Sequence, residues 1–127
     1  MKRWLMHLRG RPKTTCFVLG ELIVTAAARR ALSEAAVPVI ELLDRHQRGD
    51  WGQVDELDRR QNELGIRLGL RIRSAYAVDT NRSAQVPQGV LAPPIFVETV
   101  WIITSPDRRR TTVLLPREIF DDNTPYH

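Results

Sequence analysis

The stretch Arg45-His46-Gln47-Arg48-Gly49-Asp50-Trp51-Gly52 is where one helical pattern stops, the chain turns, and a second helical pattern begins. Glycine on either side of Asp50-Trp51 supplies the stop and frees the turn. An acid and the largest side chain are left at this junction, with a histidine four residues upstream of the acid. Reading backwards, Val39, Leu42, Leu43 and His46 recur at three- and four-residue spacing, which predicts a helix over 38–48 with His46 on or beside its buried stripe. Pro38 suits the first turn of that helix, where its missing N–H costs nothing. Reading forwards, Val54, Leu57, Gln61, Leu64 and Leu68 repeat the pattern, while Glu56/Arg60 and Glu63/Arg67 lie four apart on the outside. This predicts an amphipathic helix over 54–68, stopped by Gly69. Its second stripe, Asp58, Asn62, Gly65 and Gly69, is polar and small, which suits close approach by another segment.

Farther out, Cys16 to Val24 is apolar and partly β-branched, a strand interrupted by Gly20. Thr25 reads as the N-cap of a short alanine-rich helix over 26–35. Beyond Gly69 the period changes to two: Leu70, Ile72, Ser74, Tyr76 and Val78 alternate with Arg71, Arg73, Ala75 and Ala77. A long loop from Asp79 to Pro94 follows, then a central strand over 95–104, apolar on both faces apart from Glu98. Ser105-Pro106-Asp107-Arg108 is a turn signal, and 111–115 is the return strand, ended by Pro116. The expected fold is therefore α+β, with an N-terminal strand and three helices packed on one face of a C-terminal antiparallel β-meander. Residues 14–120 form the single domain. Residues 1–13 read as a basic flexible arm, closed by Arg11-Pro12, and residues 121–127 as a loose tail.

A chain of 127 residues suffices for one core and not for two. No apolar run approaches the roughly 18 residues that span a bilayer, and the amino terminus lacks the apolar core and cleavage pattern of a secretory signal, so no membrane partner and a cytoplasmic location are expected. One cysteine, Cys16, excludes an internal disulfide framework. The net charge of +4 is unevenly placed: five of the nineteen basic residues lie in the first thirteen positions, leaving fourteen against fifteen acidic residues in the body. A basic arm on a near-neutral domain suits contact with an anionic partner, or is a solvated tail.

His46, near a helix C-terminus with Asp50 close by to orient it, suits a general acid/base titrating near neutrality; the competing reading is a histidine packed at a core edge. Trp51 either stacks on a base or plugs the core between two helices. Ser74 and Tyr76 point toward the helical layer and need partners, which Asp58, Asn62 or His46 can supply, as a structural cluster or as the floor of a pocket. Arg71 and Arg73 point the other way and, with Arg108 and its two arginine neighbours, suit a cationic strip for phosphates or a solvated edge. Asp55 is better explained as a helix-start charge than as a metal ligand beside Asp50 and Asp58. No metal and no cofactor are expected, since ligand spacings, Gly-rich phosphate loops and nucleophile elbows are missing.

Several of these words together resemble a family of small, largely uncharacterised bacterial proteins carried on plasmids and other mobile elements. They are Arg45-His46 with Gly49-Asp50-Trp51-Gly52, Asp58 and Asn62, Ser74 with Tyr76, Trp101-Ile102-Ile103-Thr104, Asp107-Arg108, Thr111-Thr112 and Leu114-Leu115-Pro116. The likeness runs from Leu19 to Leu115, and the chain departs from it in the length of the loop from Asp79 to Pro94. The order of helices and meander is also similar to RelE- and barnase-like ribonucleases. That resemblance implies metal-independent, toxin-like RNA cleavage, with His46 as acid or base, Arg71 or Arg73 stabilising the phosphorane, Ser74 and Thr112 positioning phosphate, and Asp50, Trp51, Asp58, Asn62, Tyr76, Arg73 and Arg108 binding. Ser74 and Arg73 lie on opposite faces of a regular strand, so one pocket receives only one of them. The alternative is a non-catalytic interaction protein, such as an accessory or anti-defence factor of a plasmid or phage. The partner is correspondingly RNA or a protein.

Overall fold

The computed structural model describes residues 15–80 and 96–120. The basic arm, most of the long loop after Asp79 and the C-terminal tail lie outside the described residues. In order, the elements are β1 (Glu21–Val24), α1 (Ala26–Ala35), α2 (Val39–Gln47), α3 (Glu56–Leu68), β2 (Ile72–Asp79), β3 (Val97–Thr104), β4 (Arg110–Leu114) and a 3₁₀ turn (Pro116–Phe120). The fold is α+β, with three helices and a four-stranded mixed sheet in the order β1-β4-β3-β2.

The N-terminal strand departs from expectation. It does not lie on the sheet but joins its edge, pairing parallel with β4 from Glu21 opposite Arg110 to Val24 opposite Val113. It is also shorter than the apolar run suggests. Gly20 has φ +69°, and a Cβ there would stand 2.3 Å from the Arg109 carbonyl carbon, so the chain enters the sheet through a close backbone approach. The meander is antiparallel, with Ser74 opposite Ile102 and Ile102 opposite Val113.

Helix α1 starts where the Thr25 hydroxyl accepts from the Ala28 N–H, and α3 where Asp55 does the same for Asp58. Ala28, Ala31, Leu32 and Ala35 of α1, with Leu42 and Leu43 of α2, pack on Tyr76, Val78, Val100, Ile102 and Val113. The alanines let α1 lie close to the sheet. A smaller cluster of Phe17, Trp51 and Ile72 fills the junction below the Gly49–Gly52 turn.

Helix α3 is inverted relative to its apolar pattern. Its buried residues are Asn62 and Gly65, whereas Leu57, Leu64 and Leu68 are 65%, 38% and 63% exposed. The reason is the surface it meets, the outer edge of β2, whose backbone groups need hydrogen-bond partners. The Asn62 amide donates to the Arg73 carbonyl at 2.8 Å and its oxygen accepts from the Arg73 N–H at 3.0 Å. One pleat on, the Ala75 N–H donates to the Trp51 carbonyl and the Gln53 N–H to the Ala75 carbonyl. Gly65 lets the backbones approach, since a Cβ there would lie 3.1 Å from the Arg71 carbonyl. Leucine could satisfy none of these groups.

Candidate functional site

The turn after α2 brings His46, Ser74, Asp50, Trp51 and Tyr76 together, but in roles the sequence does not disclose. His46 is fully buried. Its Nδ1 lies 2.5 Å from Ser74 Oγ and its Nε2 2.9 Å from Thr104 Oγ1; Thr104 and Thr111 hydroxyls are 2.7 Å apart, and Thr111 Oγ1 donates to the Leu19 carbonyl at 2.7 Å. A carbonyl only accepts, which sets the directions along this chain as far as the ring. Thr111 donates to Leu19 and so accepts from Thr104; Thr104 accepts from His46 Nε2–H. The chain places a ring proton on Nε2, and the buried ring is neutral, so Nδ1 accepts from Ser74. Burial, and secondarily the nearby Arg108 cation, lowers its pKa to about 3.

This corrects the expectation of an acid/base near neutrality oriented by Asp50. At pH 7 the ring has no proton beyond the one it gives to Thr104, and no exposed face. Asp50 turns outward instead, where Arg45 bonds both carboxylate oxygens at 2.8 and 3.1 Å and holds its carboxyl below the usual range. Arg45 also lies over the Tyr76 ring, 4.7 Å from its centroid. Tyr76 is buried, which pushes its phenol pKa up, and it donates to the Asp50 carbonyl at 2.6 Å. Trp51 is core, and its indole Nε1 is buried with no acceptor among the described residues.

The other candidates lie elsewhere. Thr112 is buried on the opposite face of the sheet from Ser74, in register with Ile103 and Arg73, so it cannot share a phosphate with Ser74. Arg73 is stacked over Trp101 at 4.4 Å and paired with Asp58 at 2.7 Å. Asp58, Gln61, Asn62, Leu70, Arg71 and Arg73 line an open pocket of about 250 Å³ at the junction of α3 and β2. Two guanidinium groups there suit a carboxylate or another small anion. Asp50, Asp55 and Asp58 have separate tasks, and no group of three possible metal ligands occurs among the described residues.

Arg108 does not join a cationic strip. From a left-handed position with φ +60° it folds inward, donating to the carbonyls of Leu70, Ser105 and Pro106 through Nη1 and of Gly65 through Nη2. The hairpin turn is thus tied to the C-terminal end of α3, where the Gly65 carbonyl also accepts from the Gly69 and Leu70 N–H groups. Arg108→Ala is expected to lower stability by about 2 kcal/mol in urea denaturation, because the bonds to Gly65 and Leu70 are charge-assisted. Arg108→Lys should recover little of the loss, since an ammonium cannot span the same carbonyls.

Sequence reasoning missed Thr104, Thr111 and Arg45 as partners in these networks. The one available signal was that Thr104 and Thr111 flank a hairpin turn and so become cross-strand neighbours. No helix among the described residues is long and apolar enough to cross a membrane. Comparison with family models, curated proteins and solved structures finds no match for this chain.

Proposed function

We propose that this chain is a non-catalytic interaction protein, consistent with an accessory or anti-defence factor of a mobile element. The observation that carries this reading is the leucine stripe of α3, which the fold leaves exposed while it buries the polar stripe beside it. A stable helix that turns apolar residues outward on one continuous face marks a contact surface. The groups that metal-independent RNA cleavage would require are spread over the interior and both sheet faces, and the only histidine among the described residues is buried and neutral.

Two measurements test the reading. Purified full-length protein incubated with total RNA is expected to leave it intact; cleavage that persists through repurification and disappears in a folded Arg71→Ala or Arg73→Ala variant would establish the ribonuclease instead. A photo-crosslinker at exposed Gln61, in the middle of the stripe, is expected to capture a discrete protein in the expressing cell that the same group at Arg30 on α1 does not. Equal labelling from both positions would remove the stripe from consideration.

A further inference from the structure

Resting on that reading, we propose that α3 docks an amphipathic helix of a partner protein whose apolar seam is edged by carboxylates. Leu57, Gln61, Leu64 and Leu68 are spaced by four, three and four residues, the spacing of one seam in a two-helix contact. The seam is already rigid: Asn62 and Gly65 fix the opposite side of α3 to β2, and Arg108 bonds Gly65 at its C-terminal end. A partner would therefore meet a preformed surface and pay little ordering entropy.

Charge selects the partner. Between Glu56 and Arg73 five arginines face three carboxylates, a local net charge of +2. Arg60 and Arg67, seven residues apart, run along one flank of the leucines. At the other flank Gln61 and Leu70 lead into the pocket lined by Arg71, Arg73 and Asp58, where two guanidinium groups face one carboxylate, itself paired with Arg73, and the net positive charge suits an incoming carboxylate side chain. Glu56 is shared between Arg59 and Arg60, and Glu63 is held by Arg59, so the acids of the helix are already engaged and this flank stays net positive through Arg67. A second copy would set Arg60 and Arg67 against their own counterparts across a two-fold axis, a like-charge contact. An acidic helix meets neither obstacle.

The test uses the full chain and two fluorescein-labelled synthetic helices carrying the same leucine heptads, one with glutamate and one with lysine at the flanking positions. Anisotropy should show the glutamate helix binding about tenfold or more tightly than the lysine helix. Leu57→Asp should abolish binding, and so should Leu64→Asp; an unchanged urea midpoint in Leu57→Asp, at the more exposed position, separates lost contact from lost fold. Arg60→Glu/Arg67→Glu should reverse the preference between the helices. Absence of binding, equal binding of both helices, or binding that survives both leucine substitutions would overturn the proposal. A concentration-dependent dimer in sedimentation, dissolved by Leu57→Asp, would also overturn it by assigning the seam to a second copy. If position-specific crosslinking at Gln61 succeeds while the glutamate helix fails, the acidic-helix partner is wrong and the interaction reading stands.

Discussion

His46→Ala is expected to lower stability by about 4 kcal/mol, measured by urea denaturation at pH 7. Two costs add. An aromatic-sized buried volume is emptied, including the edge of the ring against Phe17 at 5.1 Å. The Ser74 hydroxyl also loses its acceptor and the Thr104 hydroxyl its donor, both of them buried. The same residue sets a pH dependence with a definite sign. Its ordinary pKa is 6.5 and its folded value about 3, so between these the unfolded chain binds more protons and stability rises as pH rises. The contribution is complete above pH 6.5 and is lost as pH drops toward 3, by about 2 kcal/mol between pH 7 and pH 5. His46→Gln, which removes the titrating group, should lose correspondingly less over that interval. A wild-type His46 ring that titrates by NMR between pH 5 and pH 8 would refute the buried neutral assignment.

Gly52→Ala should be comparably severe, about 4 kcal/mol, for a different reason. Gly52 has φ +72°, and a Cβ there would stand 2.2 Å from the Ala75 carbonyl oxygen and 2.7 Å from Tyr76 Cδ1. The carbonyl cannot move aside, because it accepts the Gln53 N–H at 2.6 Å and closes the edge of β2. Gly69→Ala is the matching control. Its φ is +71°, yet nothing lies within 4 Å of the added carbon, so only the backbone cost of about 1 kcal/mol should remain. Equal losses at the two positions would mean that the close approach to Ala75 contributes nothing.

These two residues also show how far the sequence could be read. The glycines around Asp50-Trp51 marked a turn between helices, and the turn is there. What the second glycine is for, a parallel bridge to Ala75, depends on a strand more than twenty residues away. The three-and-four spacing placed His46 inward correctly, and the strand alternation placed Ser74 and Tyr76 toward the helices. His46 was among the candidate partners of Ser74 and does bond it, but neither pattern carried Thr104 as the ring's other partner or the Asp50 carbonyl as that of Tyr76. Asp50 lies four residues from His46 along the chain, but its backbone leaves the helix there and its carboxylate meets Arg45 instead. Arg108 read as surface charge because arginine in a turn usually is; its position beside the carbonyls of Gly65, Leu70, Ser105 and Pro106 exists only after the hairpin has folded against α3.

The sequence by itself determined the elements and their order, and the helix stops at Gly49 and Gly69, because caps, glycine stops and the two periodicities act between residues that are close along the chain; the start of β1 it did not, since the parallel pairing with β4 sets it. It also determined that α3 would carry two distinct stripes. Tertiary structure alone decided which stripe is buried. The choice rests on what the opposing surface requires, and the edge of β2 requires donors, acceptors and room for a backbone, which Asn62 and Gly65 provide and the leucines do not.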